Sequence, residues 1–313
     1  MSHTRVAAID CGTNSIRLLI ADLDPASGEI ADLDRRMLIV RLGQDVDRTG
    51  RLAPEALERT FAACREYAAV IAEHGVDPAH TRFVATSASR DAQNSADFTK
   101  GVREILGVEP EVVSGDEEAQ LSFTGATKEL TGAAVAAPYL VFDLGGGSTE
   151  FVLGAGEVDA ARSVDIGCVR LTERHFAGQE VPSAERIAAA RADIEAALDL
   201  AAEAVPLTGA ASLVGLAGTV TTVAAIALEL PAYDSALIHH ARLTVDQVRA
   251  VTERLLGATH AERAAIPVMH PGRVDVIAAG ALVLLSIMER AGAAELVVSE
   301  HDILDGIAWS IAG

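Results

Sequence analysis

Two short stretches combine an acid at the end of an apolar run with a turn of glycine and hydroxyl residues. The first is Asp10 with Cys-Gly-Thr-Asn-Ser at 11–15, and the second is Asp143 with Gly-Gly-Gly-Ser-Thr-Glu at 145–150. Glycine lets backbone N–H groups approach a ligand closely. Carboxylates beside such a turn are oxygen ligands of the kind that a divalent metal prefers. The two stretches therefore indicate binding of a phosphate with a metal ion, although an ordinary glycine-rich hairpin turn is the alternative for either one alone.

Apolar runs on both sides of each turn predict pairs of strands. Arg5–Asp10 and Ile16–Leu23 flank the first turn, while Tyr139–Asp143 and a run from Phe151 flank the second. The order of strand, acid, turn and strand thus occurs twice, 133 residues apart. This repetition predicts two related half-domains that face each other across a cleft.

A further carboxylate candidate lies at the start of a helix predicted to run toward Leu130. Ser114 and Glu117 have the spacing of a capping box, in which Glu117 bonds back to the N-cap amide. Glu118 lies about 100° further round the helix and is not needed for the cap. The positive end of the helix favours its ionised form, so Glu118 is a candidate general base for water. The alternative is that these acids only favour the first helical turn.

Arginines and further glycine turns extend the list of candidates for phosphate binding. Arg17 follows the first turn, and the sequence leaves open whether it faces a ligand or solvent. Arg90 follows a strand predicted at Arg82–Ser87, a position where α/β proteins place ligand contacts, but a surface pair with Asp91 is equally consistent. A helix start at Gly167 and a strand–Gly–Thr turn at 217–222 are weaker anion-site candidates.

Composition limits the class of protein. A chain of 313 residues with 50% apolar residues predicts two domains with sizeable cores. The net charge of −20 argues against non-specific binding to nucleic acid or an anionic membrane. Three isolated cysteines indicate reduced thiols, and no uncharged apolar run reaches the ~18 residues of a membrane span, so we expect a cytoplasmic protein.

The remaining segments predict an alternation of helices and strands. Thr131–Pro138 is a small-residue connector and a candidate domain boundary, and the neighbouring His239 and His240 are predicted in a loop. Amphipathic or buried helices are predicted at 54–74, 95–106, 183–204, 244–256 and 274–291, and a terminal helix at 301–311 could pack on the first domain.

Taken together, these motifs resemble one family. The stretches are AIDCGTNSIRLLI, ATSASRD, SGDEEA, DLGGGSTE, GLAGTVTT, RVDVIAAGA and SEHDILDG, in this order and over essentially the whole chain. They are similar to the exopolyphosphatase/guanosine-pentaphosphate phosphatase family of the actin/Hsp70/sugar-kinase superfamily. The resemblance implies an α/β fold with two RNase-H-like domains around a central cleft. The first domain would comprise residues 1–126 and 299–313, and the second residues 127–298.

The resemblance also implies roles for individual residues. Glu118 matches the catalytic base, while Asp143 and Glu150 match positions associated with a metal, Mg²⁺ or another divalent cation such as Mn²⁺. The positions that match phosphate contacts are Gly12, Thr13, Asn14, Ser15, Arg17, Arg90, Gly145, Gly146, Gly147 and Ser148. The chain looks like the short form without the C-terminal HD-like domain, and a homodimer is the family expectation.

The function implied is metal-assisted hydrolysis of the terminal phosphoanhydride of inorganic polyphosphate. Three alternatives stay open at this point. One is removal of the 5′ phosphate of guanosine pentaphosphate, and another is a sugar-kinase-like phosphotransferase. The third is a non-catalytic sensor of polyphosphate or guanosine tetraphosphate, which would not need Glu118.

Overall fold

The computed structural model describes residues 4–24, 29–130 and 135–312. The chain divides into two compact units, Met1–Gly125 with Ile303–Gly313, and Ala126–Asp302. The predicted connector Thr131–Pro138 lies partly outside the described residues, at 131–134. Its described part belongs to the second unit.

A mixed sheet forms the centre of the first unit, in the order β3-β2-β1-β4-β5. Its strands are β1 (Thr4–Cys11), β2 (Ser15–Asp24), β3 (Glu29–Ile39), β4 (Thr81–Ala85) and β5 (Glu111–Val112). β1, β2 and β3 pair antiparallel, whereas β4 and β5 continue the sheet in parallel. The α-helices of this unit, numbered in chain order, are α1 (Val46–Thr49), α2 (Pro54–Glu73), α3 (Ser87–Asp91), α4 (Ser95–Leu106), α5 (Gly115–Leu130), which extends past the unit boundary at Gly125, and α13 (Ile303–Ala312).

Both faces of this sheet are covered, as the continuous apolar character of β1 requires. Successive side chains of a strand point to opposite faces. Ala7 and Ile9 therefore join one apolar cluster with α2 and α4, while Val6 and Ala8 join another with α13. The terminal helix thus completes the core of the unit in which the chain begins.

The outer strand β3 contains a bulge. Ile20 of β2 pairs with Asp34, but the next residue, Ala21, pairs with Asp32, so Leu33 is the extra residue. Leu33 is also one of the exposed large apolar side chains. A bulge of this kind interrupts the ladder and increases the local twist.

In the second unit the sheet has the order β10-β11-β9-β6-β7-β8. Its strands are β6 (Tyr139–Leu144), β7 (Thr149–Gly154), β8 (Val158–Val164), β9 (Ser212–Leu216), β10 (Arg242–Thr244) and β11 (Glu295–Val298). The helices are α6 (Cys168–Leu171), which continues as a π-helical turn at Thr172–Phe176, α7 (Ala184–Ala202), α8 (Ala217–Ala227), α9 (Ser235–Ile238), α10 (Val245–Gly257), α11 (His260–Ala264) and α12 (Ile277–Ala291). The nearly uniformly apolar α12 is buried along most of its length.

The two sheets share one topology. In the second sheet, the antiparallel strands β8-β7-β6 are followed by the parallel strands β9 and β11. The first sheet has the same arrangement, with β3-β2-β1 followed by β4 and β5. The first hairpin of each sheet carries one of the two acid–turn motifs. Within the described parts of the chain, no helix is long and apolar enough to cross a membrane.

Some predicted elements differ from those observed. The strand predicted at Arg82–Ser87 ends at Ala85, and Ser87–Asp91 forms the short helix α3. The segment 234–242, predicted to be irregular, contains α9 and the start of β10. In both places, short polar stretches carry too little periodicity to distinguish a helical turn from a loop.

Candidate functional site

The first acid–turn motif forms a tight hairpin between β1 and β2. The N–H of Gly12 donates to the carbonyl of Ser15 at 2.9 Å and closes the turn. The carbonyls of Thr13 and Asn14 accept hydrogen bonds of 2.8–3.0 Å from N–H groups in the segment 40–43. The carbonyl groups of the turn are therefore bonded to the protein itself.

The second motif repeats this geometry between β6 and β7. The N–H of Gly145 donates to the carbonyl of Ser148 at 3.1 Å, in the same relative positions as Gly12 and Ser15. The carbonyls of residues 145–146 accept hydrogen bonds of 2.9–3.1 Å from the N–H groups at 168–170, the start of α6. The sequence therefore predicted two equivalent turns correctly.

These bonds determine where the N–H groups of the second turn point. In a trans peptide the C=O and the following N–H point in opposite directions. Because the carbonyls of Gly145 and Gly146 point toward α6, the N–H groups of Gly146 and Gly147 point away from it. Among the described residues these two N–H groups make no hydrogen bond with the protein. Consecutive N–H groups with a common direction form a cradle that suits an anion.

The start of α6 is part of this turn and is not an anion site of its own. The prediction of an anion site at Gly167 is wrong, because the nearby N–H groups bond the carbonyls of the turn. A Cβ at Gly167 would lie 2.4 Å from the carbonyl oxygen of Gly146. Only glycine allows the helix start to approach the turn this closely.

The two hairpins differ in charge at one equivalent position. Asp10 lies opposite Arg17 in the β1–β2 pair, and Asp143 lies opposite Glu150 in the β6–β7 pair. Nε and Nη2 of Arg17 donate to Oδ2 of Asp10 at 3.0 and 2.7 Å, and Asp10 is only 4% exposed. The direction of Arg17 that the sequence left open is thus toward Asp10.

Asp143 and Glu150 bring two carboxylates to neighbouring strands. Directly opposite residues in an antiparallel pair have Cβ atoms about 5 Å apart. Both residues are buried, Glu150 to 1% exposure, and the hydroxyl of Ser163 on β8 donates to Oε1 of Glu150 at 2.7 Å.

These two carboxylates fit a hard divalent cation. No cluster of three or more metal-binding side chains occurs among the residues described. Mg²⁺ is commonly held by one or two carboxylates together with water and substrate phosphates, so two carboxylates are a sufficient protein contribution.

In the first unit, Glu118 pairs with Arg90. Nη1 of Arg90 donates to Oε2 of Glu118 at 3.1 Å and to the carbonyl of Val113 at 3.0 Å. Glu118 is 7% exposed. A guanidinium group carries five donors, so these contacts leave Arg90 capacity for a phosphate oxygen.

The neighbouring Glu117 has a different role from the one predicted. The N–H of Glu117 donates to the hydroxyl of Ser114 at 3.2 Å, which is one half of a capping box. The carboxylate of Glu117 accepts a hydrogen bond from Arg82 at 2.9 Å and is largely exposed. Two successive acids thus point in different directions, and Glu118 is the buried one.

The third glycine turn, at 217–222, is filled by the side chain of a residue far away in the sequence. Nη1 of Arg273 donates to the carbonyl of Gly218 at 3.0 Å and to the hydroxyl of Thr222 at 2.9 Å. A Cβ at Gly218 would lie 2.1 Å from Nη2 of Arg273. No local sequence signal links positions 55 residues apart.

The adjacent histidines lie in a loop, as predicted, and stack on each other. The ring centroids of His239 and His240 are 3.7 Å apart, and those of His239 and His301 are 4.8 Å apart. Nδ1 of His239 accepts a hydrogen bond from the N–H of Glu300. These contacts explain the pair as packing within its own unit.

Two α/β units of one topology, each with an acid–turn hairpin, define a two-domain protein of the RNase-H-like type, and the predicted α/β class with two such domains is confirmed. The sequence pattern of the Ppx/GppA phosphatase family matches residues 19–312. The chain therefore belongs to the Ppx/GppA phosphatase family.

Individual relatives support this assignment. Exopolyphosphatase 2 of Mycobacterium tuberculosis is 51% identical over the whole of both chains. The bifunctional 3-dehydroquinate synthase/phosphatase of Fusobacterium nucleatum is 33% identical over 96% of this chain and 45% of its own length.

Solved structures agree with this assignment. An exopolyphosphatase-like protein superimposes with a TM-score of 0.94 at 43% identity, and the Ppx/GppA family member of Aquifex aeolicus with 0.79 at 31%. In both comparisons 99% of this chain and 98% of the other chain are covered.

Proposed function

We propose that this chain is an exopolyphosphatase, which hydrolyses the terminal phosphoanhydride of inorganic polyphosphate and releases phosphate. The observation that carries the proposal is the buried carboxylate of Glu118, which is bonded to Arg90 and is not used to cap its helix. The relative with 51% identity is named an exopolyphosphatase. A protein that only bound phosphate would not need a general base at this position.

In this mechanism the two turns bind and Glu118 activates water. The N–H groups of the turns and the guanidinium of Arg90 neutralise charge on the terminal phosphoryl oxygens as it redistributes in the transition state. Glu118 accepts the proton of the attacking water, a role worth roughly 10²- to 10⁴-fold in rate. Arg90 orients the carboxylate through the 3.1 Å hydrogen bond.

Asp143 and Glu150 would hold the divalent cation, Mg²⁺ or Mn²⁺. When bound, the cation supplies positive charge to the phosphate oxygens. Ser163 restricts the rotation of the Glu150 carboxylate through its 2.7 Å hydrogen bond.

The residue assignment is tested by Glu118→Gln. Glutamine keeps an acceptor for Arg90 but cannot take a proton, so polyphosphate should still bind while phosphate release falls by about 10²-fold or more. Glu117→Gln is the matched control, since its exposed side chain pairs with Arg82. We expect wild-type release from the control, and near-normal release from Glu118→Gln would refute the assignment of the base.

Substrate choice is tested with polyphosphates of graded length beside guanosine pentaphosphate. Preferential release from the pentaphosphate would replace the proposed substrate by the guanosine compound. In ¹⁸O-labelled water, label in the released phosphate indicates hydrolysis, and its absence indicates a phosphotransferase. Binding of polyphosphate or guanosine tetraphosphate without turnover, whatever the metal, would indicate a sensor.

We further propose a cytoplasmic homodimer. The three free, buried thiols suit a reducing compartment. The dimer rests on the family resemblance, and light scattering of the purified protein tests it.

A further inference from the structure

Glycine-rich turns bind anions only when their peptides keep one orientation. A peptide between two glycines can reverse with little steric penalty, because glycine tolerates both signs of φ. A reversed peptide would present its carbonyl oxygen, and thus negative charge, where an N–H should meet the phosphate. Three successive peptides follow Gly145, so this turn needs contacts that hold its carbonyls.

Those contacts come from one short segment. The N–H groups at 168–170 hold the first two carbonyls, as described above. The third carbonyl, that of Gly147, accepts a hydrogen bond from Nε of Arg170 at 2.7 Å. The side chain of Arg170 is only 11% exposed, so water competes little for this bond. Arg170 thus holds two successive carbonyls. Its backbone N–H bonds the carbonyl of Gly146, and its side chain bonds the carbonyl of Gly147.

The peptide held by the side chain is the one that carries the N–H of Ser148. Because C=O and N–H are opposed in a trans peptide, a Gly147 carbonyl fixed toward Arg170 directs the N–H of Ser148 to the opposite side. That side is also the one to which the N–H groups of Gly146 and Gly147 point. With the side chain of Arg170, all three carbonyls are bonded to residues 168–170, so the three following N–H groups are directed away from that segment.

In the first hairpin, the carbonyls of the turn are held by backbone groups alone, without a side chain. Backbone N–H groups at 40–43 hold the carbonyls of Thr13 and Asn14. Dependence on an arginine is thus particular to the second turn. The test can remove one side chain there and leave the first turn unchanged.

We propose that Arg170 is a positioning residue for the phosphate-binding turn at 145–148, an inference that rests on the proposed function of that turn. Its Nε fixes the Gly147 peptide so that the N–H of Ser148 meets the terminal phosphate. Arg170 acts through the backbone of the turn and not as a ligand of the substrate.

Two substitutions separate this role from a contribution of charge. Arg170→Met removes both the donor and the charge. Arg170→Gln removes the charge, but its amide nitrogen is attached to Cδ as Nε of arginine is, so a donor to Gly147 remains. We expect kcat/KM for tripolyphosphate to fall about 10- to 100-fold in Arg170→Met, since misplacement by ~1 Å can cost this much. Arg170→Gln should recover most of the loss.

Arg174→Met is the control for general damage to the segment. Arg174 lies in the π-helical turn after α6, where it pairs with Asp193 at 3.2 Å and is one-third exposed. This variant should keep wild-type kinetics. Equal kcat/KM for wild type and Arg170→Met, even with a lower Tm, would overturn the inference. Equal losses in Arg170→Gln and Arg170→Met would also overturn it, because they would indicate a role of charge.

A binding measurement separates this inference from the proposed function. Inorganic phosphate is not turned over, and its Kd can be measured by calorimetry for each variant. We expect Kd to rise about 10-fold in Arg170→Met and to stay near wild type in Arg170→Gln and Arg174→Met. If the wild type hydrolysed no polyphosphate while this pattern held, the function would be wrong and the positioning role supported. An unchanged Kd in Arg170→Met would refute the positioning role.

Discussion

At the scale of residues, Arg17 and Glu150 occupy equivalent positions in two hairpins of the same geometry, and they carry opposite charge. Arg17 neutralises Asp10, so the first turn can accept a phosphate without further compensation. Glu150 adds a second carboxylate beside Asp143, which an anionic substrate would meet as repulsion unless a cation were present. One register position therefore sets the charge of each turn. Under the proposed function it would distinguish a turn that contacts phosphate directly from a turn that also holds a metal.

Removal of Arg17 should destabilise the first unit. Arg17→Met leaves Asp10 buried without its arginine, and we expect the free energy of unfolding to fall by about 2 kcal/mol, between the values for exposed and buried pairs. The single tryptophan, Trp309, packs against the core of this unit and reports its unfolding by fluorescence in urea.

Arg5→Met provides the comparison for Arg17→Met. Arg5 bonds Asp22 in the same pair of strands, but its side chain is exposed. We expect the urea midpoint of Arg5→Met to match that of the wild type. A midpoint for Arg17→Met that also matched wild type would show that the Asp10 pair contributes nothing to stability.

At the scale of elements, the helix start at α6 and the turn at 145–148 form one unit of structure. Gly167→Ala places a methyl group against the carbonyl of Gly146. We expect stability to fall by about 1–3 kcal/mol and polyphosphatase activity to fall about 10-fold or more, because the turn must move. Thermal unfolding and phosphate release measure the two effects.

Gly156→Ala is a suitable control for this substitution. Gly156 lies in the turn between β7 and β8, and a Cβ there meets no atom within 4 Å. It should change neither stability nor activity appreciably. Wild-type activity in Gly167→Ala would show that the turn tolerates displacement and that its exact position is unimportant.

Close contact between α13 and α5 likewise positions the helix that carries Glu118, the proposed base. A Cβ at Gly306 would lie 2.0 Å from the carbonyl oxygen of Leu121, so glycine allows α13 to approach the helix that carries Glu118. The C-terminal helix thus helps to set the position of the catalytic candidate.

Local patterns were predicted well from the sequence, and contacts between distant segments were not. The helix predicted at 244–256 forms and begins with a capping box of Thr244 and Gln247, both bonds of which lie within four residues. The box of Ser114 and Glu117 forms only in part, because Arg82 takes the Glu117 carboxylate. Spacing along one helix carries no information about a partner on another strand.

In the candidate site, too, local patterns were predicted from the sequence and contacts between distant residues were not. The two turns follow from composition and from their repetition, and they have the predicted geometry. The pairing of Arg90 with Glu118 and the contact of Arg170 with Gly147 join residues 28 and 23 positions apart. Neither pair has a periodicity that a single sequence reveals.

At the scale of the whole molecule, the three thiols provide probes in both units. Burial raises the pKa of Cys11 well above that of an ordinary thiol, raises that of Cys64 to about 12, and raises that of Cys168. The thiolate is the reactive form, so the native protein should not react with a disulfide reagent at pH 8. In denaturant all three cysteines should react. Rapid labelling of any thiol in the native protein would contradict the burial of these cysteines.

The same shifts predict the direction of alkaline stability. A thiol whose pKa is raised on folding makes its full contribution to native-state stability below its unfolded pKa of about 9. This contribution is lost as the pH rises from the unfolded pKa toward the folded pKa. The urea midpoint should therefore fall between pH 9 and 11. Cys64→Ala should reduce this dependence, because it removes one of the ionising groups.

The bulge in β3 limits how copies of this protein can associate. An edge strand of eleven residues would otherwise be a template for strand addition from another molecule. The extra residue, Leu33, interrupts the ladder, and charged side chains lie on both sides of it, at Asp32, Asp34, Arg35 and Arg36. Sheet extension across this edge is thereby disfavoured, as is the aggregation to which it leads. A homodimer of this chain would then be built from side-chain contacts and not from a continuous β-sheet through β3.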